Sequence, residues 1–141
     1  MINKYRLGRL LIKLLKPTQY SPFVSVCGIL EEKNKILLIK NDYKTSLPGG
    51  LVRQGEELET ALKREFFEET GLNIDVVKFL KYYDSPKRDT DSHSILFTYK
   101  VKKIKGKLKT SFEGEPVWVE KSKVKRIIHS ENKKVIEDYL K

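Results

Sequence analysis

Apolar positions recur along this chain with two different periods, and each change of period marks an element. Val24–Leu30 and Ile36–Ile39 are short, nearly continuous apolar runs separated by Glu31-Glu32-Lys33-Asn34, a pattern that predicts two strands joined by a turn. Leu47-Pro48-Gly49-Gly50 then interrupts regular structure, because proline cannot sit in a central strand and glycine permits unusual backbone angles. From Leu58 to Thr70 the period becomes helical, with Leu58, Ala61, Leu62 and Phe66 on one side and Gly71 placed as a left-handed cap. Val76–Tyr83 and Ser94–Val101 read as strands flanking the polar stretch 84–92. Pro116–Val119 reads as a shorter strand, and Asn132–Leu140 as a terminal amphipathic helix. Strands and helices alternate without segregation, which predicts an α/β arrangement.

The 141 residues fit one domain, 1–141, with no second core. Within it, residues 1–20 read as a basic amphipathic helix and linker. Leu7, Leu10, Leu11, Leu14 and Leu15 share one side, while Arg6, Arg9, Lys13 and Lys16 fall mostly on the other. Such a helix packs on its own domain, on a twin subunit in a homodimer, or on a membrane surface. Its interspersed charges argue against a transmembrane segment or signal peptide, which need a longer run free of charge.

The lone cysteine, Cys27, excludes an internal disulfide framework and fits a reducing compartment, the cytoplasm. Its place in an apolar run makes it a buried hydrophobe rather than a nucleophile. A net charge of +10 favours anionic partners such as phosphates, nucleotides or RNA. Much of that charge lies at Lys100, Lys102, Lys103, Lys105, Lys107 and Lys109, which read as a solvated edge and turn.

The candidate chemistry lies on the central helix. On a helical wheel with Leu58 at zero, Glu65 falls at about −20°, Glu69 at about +20° and Glu68 at about −80°. The three carboxylates therefore share the apolar side, whereas Glu59, Thr60 and Lys63 face outward. Carboxylates at i, i+3 and i+4 repel one another, and burying them uncompensated costs several kcal/mol each. They call for a counter-charge, and Arg64 neutralises one of them at most. Hard divalent cations such as Mg²⁺ or Mn²⁺ prefer clustered carboxylate oxygens. Gly49-Gly50 can bring a bare carbonyl close to the same turn as a further oxygen ligand. Glu56, near the helix start, is placed to meet the helix dipole or to pair with Arg64.

Gly50, Glu56, Arg64-Glu65-Phe66, Glu68-Glu69 and Gly71-Leu72 resemble the Nudix box, G-x5-E-x7-R-E-U-x-E-E-x-G-U, at every fixed position. Phe66 replaces the usual aliphatic. The resemblance implies a Nudix-type α/β/α sandwich with a curved mixed sheet and an enzyme that hydrolyses nucleoside diphosphate derivatives. It also implies that Glu65, Glu68 and Glu69 hold Mg²⁺ or Mn²⁺ with the Gly49 carbonyl, while Glu56 and Arg64 brace them. A further acid from a late loop often joins such sites, with Glu113 the first candidate here and Glu115 the second. No serine, cysteine or histidine nucleophile is needed, because bound metal supplies the electrostatics and a carboxylate takes the proton from water.

Substrate is less well specified. Tyr82-Tyr83-Asp84-Ser85-Pro86-Lys87-Arg88-Asp89 and His93 partly resemble a segment of ADP-ribose-type Nudix pyrophosphatases, with Thr90-Asp91 where Pro-Arg would stand. Lys40, Arg53 and Arg88 are the candidate phosphate or ribose contacts. The expected substrate is a small nucleotide, with ADP-ribose or a nucleotide sugar ahead of a nucleoside triphosphate. RNA 5′ ends are a further alternative, without any RNA-binding motif to favour them. A nucleotide-binding module without turnover is the non-enzymatic alternative, and three mutually repelling acids argue against it.

Overall fold

The computed structural model describes residues 22–85 and 93–141. The proposed N-terminal helix and Arg88 lie outside the described residues. Within them the order is β1 (Phe23–Glu32), β2 (Lys35–Lys40), β3 (Thr45–Ser46), β4 (Gly49–Leu51), α1 (Leu58–Thr70), β5 (Leu72–Ser85), β6 (Ser94–Gly106), β7 (Glu115–Glu120), α2 (Lys121–Ile127) and α3 (Ser130–Tyr139). The strands form one open, curved mixed sheet with the path β3-β2-β1-β6-β5, to which β4 adds on β1 and β7 on β2. Only β1 and β6 run parallel, with Val26 opposite Phe97 and Gly28 opposite Tyr99. The other pairs are antiparallel.

The sheet lies between two cores, which is why its central strands are apolar without interruption. Val26 and Leu30 of β1 and Leu37 of β2 face α1, packing with Ala61, Leu62 and Phe66. Cys27, Ile29, Ile36 and Leu38, at the alternate positions, face α2 and α3 through Val124, Val135 and Ile136. Phe66 is wholly buried, and a Cβ at Gly28 would stand 2.6 Å from its ring. The missing side chain on β1 thus makes room for an aromatic where the box pattern has an aliphatic.

The structure revises several boundaries. The β1–β2 turn consists of Lys33 and Asn34, both at positive φ (48° and 63°), the geometry of a tight two-residue hairpin. The lysine-rich stretch is a strand as far as Gly106, because β6 pairs with β5 along the whole hairpin. Gly49 and Gly50 lie in strand β4, and α2 is a helix that showed no periodicity over its 7 residues. Among the described residues no helix is long and apolar enough to cross a membrane.

Candidate active site

Helix α1 and strand β4 build the site together. In the β1–β4 ladder, Gly28 donates to the Pro48 carbonyl and Val52 to the Val24 carbonyl. Hydrogen-bonded pairs alternate along an antiparallel ladder, so Gly49 and Leu51, opposite Cys27 and Ser25, turn their backbone groups away from β1. Those groups meet α1. The Gly49 N–H donates to Glu69 Oε2 at 2.9 Å, and the Leu51 carbonyl accepts from Arg64 Nη2 at 3.1 Å. Close approach is what the glycines supply. A Cβ on Gly49 would lie 2.1 Å from the Val26 carbonyl oxygen, and one on Gly50 would lie 2.5–2.7 Å from the Glu65 carboxyl group.

Arg64 organises the acids. Its Nε and Nη2 grip Glu56 side-on, at 2.7 and 2.9 Å, while Nη1 reaches Glu65 at 2.7 Å and Glu68 at 3.3 Å. The Arg53 N–H also donates to Glu56, at 3.0 Å, and its guanidinium lies 3.6 Å from Glu68. Arg64 and the Arg53 amide hold the Glu56 carboxyl down at about 2. Arg64 carries one positive charge and so neutralises one acid at most, yet the five donors of its rigid fork reach two of the three box acids as well as Glu56. Glu56 pairs with Arg64; among the described contacts it makes none with the helix start.

The three box acids are not equally inward. Glu69 is buried and Glu65 half-buried, but Glu68 is exposed. At about −80° on the wheel it sits at the margin of the apolar arc, where the sheet no longer covers it. Burial raises the Glu65 carboxyl, with Arg64 pulling the other way. Burial pushes Glu69 up to about 8, against the hydrogen bond from Gly49, and the nearby charges of Glu65 and Glu113 add to the rise. Cys27 is buried and pushed up to about 12 by desolvation, with the charge of Glu69 adding to the rise, consistent with an inert thiol.

Glu113 stands in the tight turn between Ser111 and Gly114, close enough for its charge to act on both Glu65 and Glu69. Glu115 is exposed on β7 opposite Lys40, which is itself exposed at the end of β2. His93 pairs with Asp84 at 2.6 Å, at the far end of the β5–β6 hairpin. Sequence reasoning missed Lys44, whose charge stabilises ionised Glu69, because the irregular loop after β2 carries no pattern. Beside that loop a cavity of about 470 Å³ is lined by Asn41, Tyr43, Lys44, Thr45 and residues 127–129.

The donor set suits a hard divalent cation. It comprises carboxylates of Glu65, Glu68 and Glu69, a β4 backbone turned toward them, and a glycine gap that any Cβ would fill. Among the described residues no three acidic, histidine or cysteine side chains already stand in coordination geometry, since Arg64 and the Gly49 amide engage the carboxylates.

This pairing of a glycine strand with an acid-bearing helix on a mixed sheet is that of one family. The chain belongs to the NUDIX domain family, whose model matches residues 20–139, and it is a Nudix hydrolase. It is 39% identical over 126 residues to the ADP-ribose pyrophosphatase of Methanocaldococcus jannaschii, covering 85% of this chain and 74% of that protein. It is 31% identical over 96 residues to an 8-oxo-dGTP diphosphatase of Buchnera aphidicola, covering 64% and 68%. Among solved structures it resembles the MutT protein of Bacillus halodurans, with a TM-score of 0.76 and 25% identity over 84% of this chain and 82% of that one.

Proposed function

We propose that this Nudix hydrolase cleaves the pyrophosphate linkage of a nucleoside diphosphate derivative, ADP-ribose or a nucleotide sugar, in a Mg²⁺- or Mn²⁺-dependent reaction. The likeness to the M. jannaschii ADP-ribose pyrophosphatase over most of both chains carries the substrate class. Half-buried Glu65 and buried Glu69, held close enough for the charge of one to act on the other, carry the metal dependence.

Glu65, Glu68, Glu69 and the Gly49 carbonyl would hold the ion, which when bound neutralises phosphate oxygens and acidifies the attacking water. The chain supplies the rest. Arg64, anchored on Glu56, sets the direction of Glu65 and Glu68. Glu113 takes the proton from the attacking water as general base, its position beside Glu65 and Glu69 making it a better candidate than exposed Glu115. Lys40, Arg53 and Lys44 offer cations to the diphosphate, and the cavity beside Lys44 offers room for the moiety it carries. The compartment proposed is the cytoplasm, whose reducing conditions suit the free thiol of Cys27.

A second reading, hydrolysis of an oxidised nucleoside triphosphate, is favoured by the 8-oxo-dGTP diphosphatase relatives. One experiment separates them: turnover of ADP-ribose, a nucleotide sugar, 8-oxo-dGTP and 5′-triphosphorylated RNA, each with Mg²⁺, with Mn²⁺ and with chelator. ADP-ribose should give AMP and ribose 5-phosphate with the highest kcat/KM. A higher kcat/KM on 8-oxo-dGTP overturns the first reading in favour of the second. Metal-independent turnover removes the metal role.

A further inference from the structure

One side chain outside the Nudix box spans the space between the Glu113 turn and the cavity loop. Asn41 follows β2, and its Oδ1 accepts the N–H groups of Tyr43 at 2.9 Å and Lys44 at 3.0 Å. Its own N–H donates to the Lys44 carbonyl at 3.0 Å, closing the loop on itself. Its Nδ2 donates at 2.8 Å to the Glu113 carbonyl, 72 residues away in sequence. Two N–H donors on one side and a carbonyl on the other leave a single consistent orientation for the amide.

The turn that Asn41 reaches closes on itself through its own backbone. Ser111 and Gly114 exchange backbone hydrogen bonds of 3.1 and 3.2 Å, and the Glu113 N–H donates to Ser111 Oγ at 3.2 Å. The turn lies directly against the end of β2, where a Cβ on Gly114 would stand 2.6 Å from the Lys40 carbonyl oxygen. Both backbone polar groups of Glu113 are thus engaged, one by its own turn and one by Asn41.

We infer that Asn41 is a positioning residue for Glu113, fixing the turn that aims this carboxylate at Glu65 and Glu69. The inference rests on the general-base role given to Glu113 above. An aspartate at 41 would still accept the Tyr43 and Lys44 N–H groups, so the cavity loop would survive. It would have no donor for the Glu113 carbonyl and would set a lone pair against it. The two halves of the asparagine amide therefore do separable jobs.

The test is a double-mutant cycle of Asn41→Asp and Glu113→Gln, read with saturating Mg²⁺ on ADP-ribose and 8-oxo-dGTP, using whichever is turned over. Glu113→Gln should lower kcat by about a hundredfold or more, and Asn41→Asp by about tenfold with KM little changed. In the Glu113→Gln background, Asn41→Asp should cost nothing further. Hydrogen exchange supplies a reading independent of turnover. The Glu113 and Gly114 amides should exchange faster in Asn41→Asp, while those of Tyr43 and Lys44 stay protected. Asn41→Ser, which can also close the loop but lacks the amide donor, should repeat this result if the aspartate variant folds poorly. Wild-type turnover in Glu113→Gln removes the general-base role, and the Asn41 role falls with it. A slow Glu113→Gln combined with equal Asn41→Asp losses in both backgrounds, or with unchanged exchange at Glu113, overturns the Asn41 role alone.

Discussion

Arg64 holds Glu56 side-on through two hydrogen bonds, Nε to Oε1 at 2.7 Å and Nη2 to Oε2 at 2.9 Å. The pair bridges the entry to α1 and the middle of that helix. It leaves one guanidinium nitrogen, Nη1, to serve Glu65 and Glu68 together. A planar fork can do this and an ammonium cannot. Arg64→Lys should therefore preserve net charge and fold yet lower kcat by about tenfold or more. Arg64→Ala should lower Tm as well, because Glu65 loses its counter-charge. Equal kcat for Arg64→Lys and wild type would show that charge alone suffices.

Gly50 should tolerate no side chain without a cost in activity. A Cβ there would collide with the Glu65 carboxyl at 2.5–2.7 Å, so Gly50→Ala must displace that carboxylate. A displacement of about 1 Å at a reacting centre can cost on the order of a hundredfold. Steady-state kinetics alongside a melting curve should show a large fall in kcat and a small fall in Tm. The reverse pattern would make Gly50 a purely structural residue.

Stability should depend on pH in opposite senses at the two ends of the range. Glu69 has its carboxyl raised by burial from 4.5 to about 8, so the folded state binds its proton more tightly than the unfolded state. Its contribution is fully present below about 4.5 and is lost as pH rises to about 8, with Mg²⁺ and Mn²⁺ absent. Glu56 is the converse case. Its carboxyl is lowered to about 2, so the contribution of its pairing is present above about 4.5 and lost as pH falls through about 2. Chemical denaturation from pH 2 to pH 9 in chelator should show both slopes. Glu69→Gln should flatten the slope between about pH 4.5 and about pH 8, and Glu56→Gln the one below about pH 4.5. A Glu69→Gln protein with the wild-type slope between about pH 4.5 and about pH 8 would mean that another group carries it.

Glu68 and Glu69 should separate function from packing. Glu68 is exposed, so Glu68→Gln should change unfolding free energy by less than about 0.5 kcal/mol while lowering kcat by orders of magnitude. Glu69→Gln should lower kcat similarly. It should also stabilise the chelated protein above pH 8, where it removes a buried charge. Near-wild-type kcat in either variant would remove that acid from the mechanism.

The sequence by itself determined the helix, its cap and its acids, because these depend on contacts within a few residues. Leu58 to Thr70 and Gly71 at φ 78° follow from local periodicity and backbone freedom. The spacing of Gly50, Glu56, Arg64, Glu65, Glu68 and Glu69 is likewise a property of the chain. Only the tertiary structure decided how far each acid is buried, since a wheel shows direction and not what lies in that direction. Glu68 falls beyond the edge of the sheet while Glu69 faces β4. The strand role of Gly49-Gly50 arises from pairing with β1, more than twenty residues earlier, and no local signal encodes such pairing. The contact of Asn41 with Glu113 joins segments 72 residues apart, and only the folding of β7 against β2 brings them into register. The room that Phe66 needs was written at Gly28, but two glycine and phenylalanine positions in a sequence do not reveal that they touch.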